Sequence, residues 1–113
     1  MTTAERVKEI VKILDDKKAI DIRVFEVSEL TALTDYFVIA TGTSTTQVKA
    51  LAEDVEYRMG QKDQKGRLEG KSTGWLLIDF GDVIVHVFLP EEHDKYSLER
   101  LWADGKEIDI STL

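Results

Sequence analysis

Cysteine is absent from the 113 residues, which excludes disulfides, thiolate chemistry and cysteine metal sites, and suits a reducing cytosol. Proline occurs once and glycine seven times, and no tract of Ser, Gly or Pro interrupts the chain. There is no linker and no internal repeat. With 42% hydrophobic content the chain suffices for one cored domain and is too short for two. No apolar run approaches the length of a membrane span. The opening MTTAERVKEIVKILDD lacks the apolar core of a signal peptide, and its acids argue against an organelle transit peptide. A cytoplasmic protein is expected, and no basic amphipathic helix offers a membrane anchor. Bases are scarce as well, 15 against 22 acids for a net charge of −7. Phosphate backbones are gripped by clustered Lys and Arg, so direct nucleic-acid binding is not the expected main contact. Between Asp79 and Asp104 seven acids face two bases, so most of the negative charge lies in the final third. That pattern suits a basic partner.

What is present reads as alternating helix and strand. Val7, Ile10, Val11 and Leu14 follow helical spacing, and Thr2 or Thr3 can cap that helix. IDIRVFEV has strand composition, with Ile20, Ile22 and Val24 alternating until Phe25, and 28–34 is turn-like. DYFVIATG suits a buried strand. Ser44 and Gln47 have capping-box spacing, and Val48, Leu51, Ala52, Val55 and Met59 trace one face of a second helix that Gly60 closes. QKDQKGRLEGKSTG reads as loop, with a short strand near Arg67–Glu69. A hairpin, WLLIDFGDVIVHVF, comes next. Pro90 then starts a short helix with Leu98, Leu101 and Trp102 as its buried side. Residues 106–113 form a last strand at EIDI or a tail. The order predicts an α/β (α+β) single domain over residues 1–113, a mixed β-sheet with helices mainly on one face.

The hairpin carries the chemistry. Gly81-Asp82 is a two-residue turn with glycine first, which favours type II′. Phe80 then pairs with Val83, Asp79 with Ile84, Leu77 with His86 and Trp75 with Phe88. Alternation sorts Leu76, Ile78, Phe80, Val83, Val85 and Val87 onto one apolar face, the expected core. Trp75, Leu77, Asp79, Ile84, His86 and Phe88 share the other. That second face is too apolar for ordinary solvent-facing sheet, and Asp79 and His86 need partners if it is buried. It is either a docking surface or a face covered by another element.

Three chemical readings compete with docking. The TGTSTTQ turn before a helix can hold phosphate, as a Mg²⁺-dependent nucleotidyltransferase requires. Its carboxylates would have to be Asp79 and Asp82, which are split across a turn, and the Ser44 turn is an ordinary helix cap. A metal site would use His86, His93 and the acids of PEEHD, but the histidines lie on different elements without i, i+4 spacing. Membrane attachment lacks its basic helix. Docking draws instead on the second hairpin face and the acidic PEEHDKYSLERLWAD segment. Exposed ion pairs contribute only ~0–1 kcal/mol each, so buried aromatics would supply affinity and the acids orientation. The residues selected are Trp75, Leu77, Asp79, His86, Glu91, Glu92, Tyr96 and Glu99, with Trp102 placed mainly in the core.

Three long blocks, DYFVIATGTSTTQVKALAEDVE, GWLLIDFGDVIVHVF and EEHDKYSLERLWAD, resemble the ribosomal silencing factor, or Iojap-like, family in order and spacing. The resemblance covers the chain from the first helix to Asp104. It implies a nucleotidyltransferase-like topology with no catalytic role, and no cofactor or metal is expected. It further implies binding to the large ribosomal subunit through large-subunit ribosomal protein fourteen, which blocks joining of the small subunit and lowers translation when nutrients are short. Organelle relatives are linked to large-subunit assembly, and several members form homodimers. The Mg²⁺-dependent nucleotidyltransferase is the rival reading from another class, and a homodimeric scaffold or ribosome assembly factor is the third.

Overall fold

Helix α1, Thr3–Asp16, starts at a complete capping box in the computed structural model, which describes residues 1–72, 74–95 and 105–113. Thr2 Oγ1 accepts from the Glu5 amide at 3.2 Å, and Glu5 Oε1 accepts from the Thr2 amide at 2.9 Å. The helix ends in a Schellman turn: Ala19 N–H reaches back to the Leu14 carbonyl and Lys18 N–H to that of Asp15. Lys18 takes the left-handed position usually given to glycine, at φ 62°. Helix α2, Thr45–Lys62, buries Val48, Leu51, Ala52, Val55 and Met59, the stripe its spacing predicts.

Strands β1 (Ile20–Glu26), β2 (Tyr36–Thr41), β3 (Arg67–Ser72), β4 (Trp75–Asp79), β5 (Val83–Phe88) and β6 (Lys106–Ile108) form one sheet in the order β3-β4-β5-β2-β1-β6. Among the described residues only β2 and β5 run parallel; the other four pairings are antiparallel, so the sheet is mixed. Helices α1 and α2 cover one face of it. Their stripes meet Val24, Val38, Ala40, Ile78, Phe80, Val83, Val85 and Val87 in the main core. Helix α3, Pro90–Lys95, follows β5 directly, with proline in the first helical position, where a missing N–H costs nothing. Among the described residues no helix is long and apolar enough to cross a membrane.

Four local expectations change. Helix α2 passes through Gly60, which is exposed with open space around it, and stops at Asp63, whose N–H bonds the Met59 carbonyl at 2.9 Å. A glycine on an exposed helix face costs only ~1 kcal/mol, too little to end a helix held by its buried stripe. Ser44 Oγ does cap Gln47 N at 3.1 Å, but the Gln47 side chain accepts from Thr43 N–H instead of closing a box onto Ser44. Strand β3 is a full six residues, because an edge strand can be polar and still pair through its backbone. Its start requires Gly66: a Cβ there would lie 2.5 Å from Ile78 Cγ2 and 2.6 Å from the Phe80 ring. The alternation of β1 breaks at an irregularity between Ile20 and Arg23, where Asp21 has φ 51°, and Ile20 is left exposed.

Candidate functional site

The β4–β5 hairpin has the register that alternation predicts: Trp75 opposite Phe88, Leu77 opposite His86 and Asp79 opposite Ile84. Phe80 N–H bonds the Val83 carbonyl at 2.9 Å across the turn. Gly81 has φ 89° and Asp82 is not at positive φ, the combination that a type II′ turn uses. Leu76, Ile78, Phe80, Val83, Val85 and Val87 all pack in the helix-covered core. Trp75, Leu77, Asp79 and His86 therefore share the opposite face.

Pairing extends that face beyond the hairpin. The parallel β2–β5 register sets Phe37 beside Ile84 and Ile39 beside His86, and β1 adds Phe25 opposite Phe37. His86 sits at the centre of an aromatic group. Phe37 meets it edge-on at 5.1 Å, Trp75 lies 6.0 Å away, and Trp75 meets Phe88 edge-on at 6.4 Å. Trp75 Nε1–H donates to His86 Nδ1 at 3.3 Å, so a neutral His86 ring carries its proton on Nε2. Toward the β6 edge, Arg23 lies over the Phe25 ring at 5.5 Å and pairs with Glu107 at 2.9 Å.

Burial divides the face. Phe88, Ile39, Ile84 and Phe25 are 0, 1, 4 and 5% exposed, so its centre is a second, smaller core. Trp75, Asp79 and His86 are half-buried, and Leu77 lies at the boundary of burial. Covered core and accessible surface both occur, in different places.

The carboxylates have internal work. Asp79 Oδ1 accepts from Gly81 N–H at 2.8 Å, and its other oxygen lies 3.6 Å from Arg67. Asp82 faces the other way, toward α1: it accepts from Thr3 Oγ1 at 2.6 Å and pairs with Arg6. The two carboxylates therefore point apart, Asp79 to β3 and Asp82 to α1. Arg6 also donates to Asp63 Oδ2 at 2.6 Å. That hydrogen bond holds the Asp63 carboxyl below its ordinary range and raises the Arg6 guanidinium. Among the described residues no group of three or more His, Asp or Glu is placed to hold a metal ion.

Glu91 and Glu92 occupy the first turn of α3, beside the Trp75 end of the hairpin, where Leu89 N–H bonds the Gly74 carbonyl at 2.8 Å. Glu91 is exposed; Glu92 is half-buried and packs against Gly74, where a Cβ would lie 3.1 Å from its Cγ. Tyr96 and Glu99, with Leu98, Leu101 and Trp102, lie outside the described residues. Sequence reading missed Phe25, Phe37 and Arg23 as members of the face. The alternation in β2 separates Phe37 and Ile39 from Val38 and Ala40, but nothing local says which strand lies alongside.

The arrangement is that of a small α+β domain presenting a partly accessible aromatic sheet face with acids at its margins. The profile of the family described as "Ribosomal silencing factor during starvation" matches residues 1–113. The chain is similar to ribosomal silencing factor RsfS of Bacillus subtilis, 39% identical over 101 residues, covering 85% of this chain and 83% of that protein. It is similar also to the chloroplastic protein Iojap of Zea mays, 35% identical over 103 residues, covering 89% of this chain and 45% of that one. A crystal structure of a Chromobacterium violaceum protein, 40% identical, superposes with a TM-score of 0.86 over 91% of this chain and 88% of that one. The chain belongs to the ribosomal silencing factor family, non-enzymatic regulators of translation.

Proposed function

We propose that this chain silences translation by seating the accessible side of its sheet face on the large ribosomal subunit, through large-subunit ribosomal protein fourteen. Occupying that surface blocks joining of the small subunit and lowers cytoplasmic translation under nutrient limitation. The observation that carries the reading is the half-buried group of Trp75, Asp79 and His86 on the face away from the helices, with Leu77 between them. Trp75 supplies the amphipathic anchor that dominates protein interfaces. Glu91 and Glu92 supply an acidic margin that orients the domain against a basic partner, and Tyr96 and Glu99, outside the described residues, are proposed as further contacts. A standard interface takes ~800 Å² from each side, within reach of one hairpin face and the adjoining helix. The strand order is in keeping with a nucleotidyltransferase-like topology whose carboxylates have been turned to internal bonds.

Co-sedimentation with purified large subunits tests this. The expected result is binding that prevents subunit joining and weakens when Glu91 and Glu92 are changed to lysine. Failure to bind, or binding that leaves joining intact, would sink the proposal. A second copy of the chain is the rival occupant of the face. It predicts a dimer in solution whose mass is unaffected by large-subunit ribosomal protein fourteen.

A further inference from the structure

Arg6 belongs to none of the motifs above and lies on the helix side of the sheet, yet its residue is only 8% exposed. It occupies the same helical stripe as Ile10 and Ile13, where an apolar side chain would ordinarily sit. Its guanidinium spans two carboxylates on different elements, Nε donating to Asp63 at the end of α2 and Nη1 to Asp82 in the hairpin turn. The same Asp82 oxygen accepts from Thr3 Oγ1, and the Asp82 carbonyl accepts from both Asp35 N–H and Tyr36 N–H at 3.1 Å. One turn residue therefore joins α1 to the first residue of β2, and Arg6 extends the tie to the end of α2. A buried ion pair is a poor source of net stability compared with aliphatic packing, and its best-attested benefit is to specify one geometry.

We infer that Arg6 is a positioning residue for the docking face, acting through Asp82. It holds the hairpin tip and the start of β2 in fixed relation, and this sets Phe37 against His86 on the far side of the sheet. The inference rests on the docking function proposed above. Its chemical requirement is the planar fork: lysine keeps the charge but cannot direct donors to both carboxylates.

Amide hydrogen exchange and large-subunit affinity, measured on the full chain, test it together. Arg6→Lys should speed exchange at Asp35 and Tyr36 by about tenfold relative to the Val85 amide, and weaken binding severalfold through faster dissociation. Asp82→Asn should do the same, and the double variant should be no worse than either alone. Glu9→Gln serves as control: it disrupts the Glu9–Lys62 pair between α1 and α2 without touching the tip. It should leave both readouts unchanged. Should Arg6→Lys fail to fold, Asp82→Asn carries the test. Unchanged exchange at Asp35 and Tyr36, or a loosened tip with undiminished affinity, overturns the inference. If the unaltered chain does not bind large subunits, the docking function falls, and exchange alone still decides whether Arg6 holds the tip.

Discussion

The two faces of the sheet obey different rules. Under the helices the strands present Val24, Val38, Ala40, Ile78, Val83, Val85 and Val87, aliphatic and almost wholly buried. On the other side stand Trp75, Phe37, Phe25, His86 and Phe88, with Arg23, Asp79 and Glu107 among them. Aliphatic surface is satisfied by any close-packed neighbour, whereas rings, an imidazole and charges demand particular geometry and particular partners. The first face makes the fold; the second is the one proposed to select a partner of definite shape and charge.

Substitutions on each face should separate these roles. The largest effect belongs to Ile78→Ala in the covered core, a loss of about 2–5 kcal/mol in denaturant unfolding. The folded fraction should still bind large subunits normally. Trp75→Ala should reverse the pattern, weakening binding by roughly 2 kcal/mol or more while costing less in stability. Equal losses in both assays for both variants would erase the distinction between the faces.

Acid should loosen the polar tie between the helices and the hairpin. The Arg6 hydrogen bond and charge hold Asp63 below its ordinary value of 3.8, so its contribution is fully present above that value. It is lost as pH falls through the depressed folded value. Asp63→Asn should be less stable than the unaltered chain at neutral pH, and the gap should narrow steadily below about pH 4 in thermal melts. The smallest effect is a gain: Lys18→Gly relieves a left-handed residue at φ 62° and should add about 0.5–1 kcal/mol, read as a raised Tm. Binding should not change.

Much of this was legible in the sequence wherever the controlling interactions are local. Alternation and the Gly81-Asp82 turn set every pair in the hairpin, and the stripe from Val48 to Met59 set the buried side of α2. Gly60 misled because its residue type suggests a stop, while the packing of Met59 and the bond to Asp63 carry the helix past it. The proposed docking face was half legible. Trp75, Leu77, Asp79 and His86 share a hairpin, so their common side follows from period two. Phe37 and Phe25 join them only through the β2–β5 and β1–β2 pairings, long-range events that leave no local periodicity. Arg6 did leave a signal, a lone charge on the buried stripe of an amphipathic helix.

The single parallel pairing has a consequence for the timing of synthesis. β2 lies beside β5, so Tyr36 must wait for Val83 and Thr41 for Phe88 before the centre of the sheet can close. A nascent chain carrying only α1, β1, β2 and α2 lacks Ile78, Phe80, Val83, Val85 and Val87 of the main core and Phe88 of the smaller one. Closing so long a loop is entropically costly and slow, and it becomes feasible only when β5 has left the ribosome. The surface proposed to halt translation thus assembles only after the hairpin has been made, so a nascent copy that stops short of it cannot yet restrain the machine that is making it.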